Sequence, residues 1–305
     1  MANAQRTGNR GVVTVSVGPL LTLGVHDAML AARSARAATV ECTLDLGRSL
    51  TTVAAGAAEW SWEGRAFPYM DVCRDRTIYY WTAGNFQPAA RYTTSLIKLV
   101  PTPWGPPTFE IDGIKMLPTA KRSPFADAER KVGLIQPRGK VILDTCGRLG
   151  YFAAWCLRGQ AARVLSYEQN PDVIWLPSLN PWSPDSPWSR LSTEALSLTL
   201  GDINEHVRGI ADDGVDAILH DPPRFGIAGE LYSQRFYDQL ARVLRRGGRL
   251  FHYTGSPNRL SRGRDLGREV SARLRRSGLA GELREDGILA VKPGRPQRPR
   301  NADRP

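Results

Sequence analysis

From Val132 onward, short apolar runs alternate with longer stretches in which apolar residues recur every three to four positions. Val141–Asp144, Arg163–Glu168, Leu196–Asp202, Val215–Asp221, Arg249–Thr254 and Gly287–Val291 read as strands. The runs at Val141 and Val215 are nearly all apolar, as expected of strands covered on both faces. Leu149–Arg158, Leu231–Arg246 and Leu266–Ser277 read as helices, and a short, Pro-interrupted helical segment follows Glu168. In Leu231–Arg246 the residues Leu231, Phe236, Leu240, Val243 and Leu244 share one side. Such alternation predicts an α/β fold: a mostly parallel sheet covered by helices, with ligands at the carboxyl ends of the strands.

Upstream the rhythm changes. Between about Thr39 and Leu117 the pattern is one of short strands and turns, with Ala28–Ala38 a candidate helix. Ala58–Phe67 sets Trp60 and Trp62 among polar neighbours, and Thr77–Thr82 and Thr93–Val100 are rich in β-branched and aromatic residues. After the Pro-rich loop 101–107, Thr108–Ile111 and Ile114–Leu117 flank Asp112-Gly113, a pair suited to a two-residue type I′ hairpin turn. The expected division is a disordered N-terminus (1–11), a β-rich domain (12–118), a linker (119–137), the α/β domain (138–292) and a disordered Pro/Arg-rich tail (293–305).

Composition narrows the function classes. An apolar fraction of 42% over 305 residues suffices for packed cores. The net charge of +11 suits a polyanionic partner, or equally a solvated Arg-rich surface. Cys42, Cys73, Cys146 and Cys156 are scattered, which predicts neither a metal site nor a disulfide framework. No apolar run approaches the ~20 residues that span a bilayer, so a cytoplasmic, reduced protein with no membrane partner is expected.

Four features fall at carboxyl ends of predicted strands. Asp144-Thr145-Cys146-Gly147-Arg148-Leu149-Gly150 joins strand to helix, where small residues let a ligand approach the backbone. Glu168 ends the next strand, placed either for two ribose hydroxyls or as a surface acid. Gly201-Asp202 ends the third, suited to an adenine amino group or to capping the next helix. His220-Asp221-Pro222-Pro223-Arg224-Phe225 ends the fourth, where paired prolines stop the sheet and stiffen a loop.

Together these stretches resemble class I S-adenosylmethionine (SAM) dependent methyltransferases. More narrowly they resemble a group of predicted archaeal-type methyltransferases, related in fold to spermidine and spermine synthases. The likeness rests on Leu143–Tyr151, Leu179–Ser183 (Leu-Asn-Pro-Trp-Ser), His220–Ser233, Gly247–Tyr253 and the hairpin Pro106–Met116. It implies a Rossmann-like methyltransferase sheet with a smaller N-terminal β-rich domain, and SAM as cofactor. It places Asp144, Cys146, Gly147 and Gly150 at the methionine part, Glu168 at the ribose and Asp202 at the adenine. Asp221, Pro222 and Phe225 fall at the methyl acceptor. One position departs from the usual acid-x-Gly-x-Gly-x-Gly signature: Arg148 stands where a glycine is expected.

The function expected is methyl transfer to nitrogen, with Asp221 and the Pro222 carbonyl orienting an amine. RNA is the expected partner through Arg242, Arg245, Arg246, Arg249, Arg259, Arg262, Arg264, Arg268, Arg273, Arg275 and Arg276, unless these form only a solvated face. Two alternatives remain: aminopropyl transfer of the spermidine synthase type, and a non-catalytic RNA-binding protein on a degenerate methyltransferase fold. His220 and His252 are read as structural rather than proton-carrying. Trp60, Trp62, Trp81 and Trp104 are read as core more readily than as stacking platforms.

Overall fold

A computed structural model describes residues 18–187, 189, 191–255 and 265–294. The expected disordered segment 1–11, most of the tail 293–305, and Arg259, Arg262 and Arg264 lie outside the described residues.

The N-terminal part consists of helix α1 (Leu23–Ser34) and three small antiparallel sheets. The helix starts earlier than Ala28 because Leu23 begins the turn that buries His26 and Met29. Strands Glu59–Trp62 and Arg65–Pro68 pair Trp60 with Phe67, whose stacked rings lie 4.6 Å apart in a cluster with Trp81 and Phe86. Trp60 is therefore core. Strands Thr108–Ile111 and Ile114–Lys115 turn at Asp112 (φ 48°) and Gly113 (φ 77°), the left-handed pair a type I′ turn needs. Asp112 Oδ1 also accepts a hydrogen bond from Leu96 N, tying the turn to the neighbouring strand Leu96–Val100.

The interval read as a linker contains helix α2 (Pro124–Ile135). Ser123 caps it by accepting from Ala126 N, Pro124 occupies its first turn, and Gln136 ends it in a left-handed conformation. Phe125, Ala128, Val132 and Ile135 bury one face, and Lys131 is buried among them.

The large sheet contains β1 (Val141–Asp144), β2 (Arg163–Glu168), β3 (Leu196–Leu200), β4 (Val215–His220), β5 (Leu244–Tyr253), β6 (Ala280–Arg284) and β7 (Gly287–Val291). Their spatial order is 3-2-1-4-5-7-6, with β7 the strand that runs antiparallel. The order reverses beside β1, the switch point at which such sheets bind ligands. Helices α3 (Tyr151–Arg158), α4 (Pro171–Trp175), α5 (Ile203–His206), α6 (Gln234–Val243) and α7 (Leu266–Arg276) complete the α/β part. This is a Rossmann-like methyltransferase fold with additional β-sheets at its N-terminus.

Two boundaries differ from the periodicity. The stretch Leu231–Arg246 is divided: a 3-10 turn (Gly229–Tyr232) precedes α6, and Ser233 caps α6 by accepting from Phe236 N. β5 begins at Leu244 because Leu244 is already extended, and Gly248 lets the chain pass close to β4. A Cβ there would lie 2.9 Å from Asp216 O. The apolar runs missed β6, whose exposed Glu282 and Arg284 carry no strong pattern.

The two parts share a core. One apolar cluster holds Leu20, Ile78, Ile97, Leu99 and Phe109 together with Ile142, Leu149, Phe152 and Leu219. Among the described residues no helix is long and apolar enough to cross a membrane. Trp60→Ala is expected to lower the unfolding free energy by about 3–5 kcal/mol in urea denaturation, the cost of emptying a fully buried aromatic site.

Candidate active site

A cavity of about 390 Å³ opens at the carboxyl ends of β1, β2 and β3. Thr145, Cys146, Arg148, Glu168, Gly201, Asp202 and Ile203 line its floor, Pro223, Ile227 and Leu231 one flank, and the 108–115 hairpin its other wall. The hairpin contributes Phe109, Ile111, Asp112 and Ile114. The parallel sheet thus brings the ends of β1, β2 and β3 to one rim, while Asp144, Gly147, Gly150, Asp221, Pro222 and Phe225 do not line this cavity.

The turn after β1 is held from several directions. Gly147 N donates to Tyr167 O at 2.7 Å, and a Cβ at Gly147 would stand 2.7 Å from Ser166 Oγ. Gly150 adopts φ 72°, and a Cβ there would meet Pro184 at 2.9 Å. The Leu-Asn-Pro-Trp-Ser stretch explains that contact: Ser183 Oγ donates to Leu149 O (2.6 Å), and Asn180 Nδ2 donates to both Ser183 Oγ (2.8 Å) and Tyr151 Oη (3.1 Å). Tyr151 Oη in turn donates to Pro107 O at 2.8 Å, fastening the hairpin to the first turn of α3. Trp182 Nε1 donates to Leu46 O (3.0 Å), so this one motif braces the glycine turn against the N-terminal part.

Asp144 lies beneath the turn rather than in the cavity. Its carboxylate accepts from Ser166 Oγ (2.9 Å) and is buried. Burial pushes the Asp144 carboxyl up to about 7, against the opposing pull of the Ser166 hydroxyl. Glu168 faces the cavity; Oε2 accepts from Arg148 N (3.1 Å) and Oε1 from Asn170 N (3.0 Å). Burial raises its carboxyl, and those two N–H groups oppose the rise. With the Gln169 N–H also directed at the carboxylate, acceptor capacity remains for a ribose hydroxyl. Asp202 caps α5, accepting from Asn204 N at 2.8 Å, and lines the cavity as well. The Cys146 thiol lines the cavity and is pushed up by burial, which leaves it a poor nucleophile.

The fourth strand end is arranged differently from the expectation. Asp221 is buried, and both carboxylate oxygens are already engaged: Oδ2 by Lys131 Nζ (3.1 Å), Oδ1 by Arg148 Nη2 (3.0 Å). Arg148 Nη2 also donates to the Asp221 carbonyl. Burial alone raises the Asp221 carboxyl, but the Arg148 and Lys131 charges outweigh it and hold the group below its usual value. Asp221 is therefore a fixed anion that positions two cations, not a carboxylate open to an incoming amine. Among the described residues the Pro222 carbonyl accepts no hydrogen bond, whereas Pro223 O accepts from Tyr232 Oη at 2.9 Å. Phe225, 37% exposed, meets Tyr232 edge-on with ring centroids 5.4 Å apart.

Lys131 is the residue that sequence reasoning missed. It is 1% exposed, contacts Asp127 Oδ2 (2.8 Å, one helical turn back), and lies 3.8 Å from the Tyr253 ring centroid. Burial lowers the Lys131 ammonium, but Asp221 and Asp127 more than restore it, so it stays charged. The available signal was Ser123-Pro124 opening an amphipathic run, the signature of a capped helix.

His220 and His252 are structural. The His220 ring lies between Thr145 Oγ1 (Nδ1, 2.8 Å) and Leu231 O (Nε2, 3.1 Å), so Nε2–H donates to the carbonyl and Nδ1 accepts the hydroxyl proton. Burial and the neighbouring His252 hold its pKa well below the ordinary value. His252 pairs with Tyr237 Oη (2.9 Å), and burial lowers its pKa to about 4. Both rings are neutral at pH 7.

Four described arginines of the C-terminal cluster lie away from the cavity, whereas Arg268 stands in the first turn of α7, after the carboxyl end of β5. Arg245 and Arg246 stand at the start of β5, and Arg275 and Arg276 at the end of α7, the edge where parallel strands begin. Arg242 is engaged with Ile210 O, Val207 O and Asp212, Arg245 with Asp216, and Arg273 with Tyr232 O.

Lys131→Met is expected to destabilise the fold by about 3–5 kcal/mol in urea denaturation, because it leaves Asp221 and Asp127 short of a buried counter-charge. Asp144 gives a pH signature of known sign. Its folded pKa lies above the ordinary 3.8, so the stability it contributes is full below that value and is lost as pH rises towards about 7. Asp144→Asn is therefore expected to gain on the wild type between pH 4 and pH 7 in denaturation series, and a constant difference would contradict the assignment.

No family model matches the chain. Among solved structures, a spermidine synthase bound to the transition-state analogue AdoDATO superposes with a TM-score of 0.51 at 16% identity, over 69% of this chain and 77% of that one. An S-adenosylmethionine dependent methyltransferase from Mesorhizobium loti has a TM-score of 0.38 at 15% identity, over 54% and 94%. The first likeness is one of fold. In sequence, Uncharacterized protein MJ1233 of Methanocaldococcus jannaschii is 40% identical over 220 residues, 71% of this chain and 74% of that protein. With that identity over most of both chains, this protein belongs to the family of MJ1233.

Proposed function

We propose that this protein is a SAM-dependent methyltransferase that acts on a nitrogen acceptor. The observation that carries the reading is the order of groups around the cavity: Cys146 and Arg148 after β1, Glu168 after β2, and Asp202 with Ile203 after β3. That series provides, in sequence, a place for an amino-acid chain, a carboxylate for ribose hydroxyls, and an acid beside an apolar wall for an adenine. The cofactor fits the donor set: Glu168 retains free acceptor directions, and Gly147 and Gly150 keep side chains out of a crowded turn.

When bound, SAM supplies an electrophilic methyl carbon on a sulfonium. The protein's part is alignment. The Pro222 carbonyl accepts an N–H of the acceptor and turns its lone pair towards the methyl group, and Phe225 covers a flat acceptor. SAM would supply the methyl group by C–S cleavage balanced by C–N bond formation, with the amine proton released to solvent; the residues here would only orient the acceptor. Asp221 acts as a positioning residue through Arg148 and the loop backbone.

Aminopropyl transfer is disfavoured by charge. A polyamine needs carboxylates to receive its ammonium groups; Asp221 is already neutralised by Lys131 and Arg148, and with Glu168 and Asp202 given to the nucleoside only Asp112 of the cavity's acids is left. RNA is the acceptor to be tested first, and its support is the net charge of +11, not the placement of the described arginines.

Titration calorimetry is expected to show SAM binding that Glu168→Gln weakens at least ~10-fold, the loss of a charged hydrogen-bond acceptor. An unchanged affinity would remove Glu168 from the site. Transfer of labelled methyl groups to RNA is expected, with binding that falls steeply with salt. Transfer to small amines alone would reassign the acceptor.

A further inference from the structure

Arg148 is the one residue of the site that breaks the glycine pattern, and its environment gives it a task. It adopts φ 48°, a region that favours glycine, so the side chain is held there against a backbone preference. Nη2 makes both contacts to Asp221. Nε and Nη1 have no partner among the described residues, and neither is sealed off as a buried unsatisfied atom. The side chain is 12% exposed and lines both this cavity and a smaller one beside Lys131 and Asp221.

The other charged residues that line the cavity, Glu168, Asp202 and Asp112, are all acids. Arg148 is its one cation among the described residues. It lies on the β1 side, with Cys146 and Thr145, where the nucleoside-recognising residues run out. Asp221, itself held by Lys131, anchors one end of the guanidinium before any ligand arrives, so less side-chain entropy remains to be lost.

Building on the proposed function, we infer that Arg148 is the receptor for the α-carboxylate of the cofactor's methionine. It thereby makes the site select SAM over decarboxylated SAM. A guanidinium held at Nη2 by Asp221, with its charge at the cavity and Nη1 unspent, suits a charge-assisted bond to a carboxylate. Decarboxylated SAM ends in a lone ammonium, which would leave that donor unpaired and set two cations together.

The test is calorimetric binding of SAM, S-adenosylhomocysteine, decarboxylated SAM and 5′-methylthioadenosine to wild type, Arg148→Gly and Arg148→Lys. 5′-Methylthioadenosine carries the nucleoside without the amino-acid chain, so it reports on the nucleoside site and on folding independently of Arg148. Wild type is expected to prefer SAM over decarboxylated SAM by at least ~10-fold, the scale of a charge-assisted hydrogen bond. Arg148→Gly, which suits the positive φ, should abolish that preference while leaving 5′-methylthioadenosine affinity within about twofold, and Arg148→Lys should restore part of it. An equal ratio in wild type and Arg148→Gly, with 5′-methylthioadenosine still bound, would overturn the role of Arg148 and leave the cofactor reading intact. Absence of binding by all four ligands to wild type would instead overturn the cofactor reading. SAM binding gained only in Arg148→Gly would show the arginine to be an obstruction.

Discussion

The site is organised around one buried anion. Asp221 ends β4 with almost no solvent contact, a position in which a lone carboxylate would take up a proton. Lys131 and Arg148 prevent this, one from helix α2 and one from the turn after β1. Three segments are thereby joined at a single group, and the Asp-Pro-Pro loop, the cofactor turn and α2 take positions relative to one another. The arrangement is favourable only as a complete set, because removal of either cation leaves a charge in a low-dielectric interior.

That constraint changes what the loop can do. A carboxylate open to the cavity would attract an amine directly. Here the charge is spent on the protein's own cations. Arg148 is the intermediary: Nη2 belongs to Asp221, and the side chain lines the cavity. The same geometry explains how an arginine occupies a glycine position without filling the space a ligand needs. Its guanidinium is drawn aside to Asp221, and the cavity keeps its 390 Å³.

The second organising contact is Tyr151 Oη, which links Pro107 of the hairpin entry to Asn180. Through it the N-terminal sheets become a wall of the site. The shared apolar cluster, running from Leu20 to Leu219, makes the same point in packing terms. The hairpin covers the cavity because its core residue Phe109, and Leu99 of the strand paired with it, belong to that cluster.

By itself, the sequence determined the local elements. Apolar runs such as Val141–Asp144 have no stable alternative to a covered strand, and Asp112-Gly113 permits a tight hairpin because both positions tolerate positive φ. The carboxyl-end positions of Glu168 and Asp202 were legible for the same reason: strand ends follow from where the apolar run stops. What no local pattern contains is which charge meets which. Lys131 and Arg148 lie 90 and 73 residues from Asp221, and only the parallel crossing of β1 and β4, with α2 packed across them, brings the three together. Periodicity reports which side of an element is buried. The identity of the partner depends on strand order and helix placement, so the neutralised Asp221 and the cavity-facing arginine emerged only from the tertiary structure.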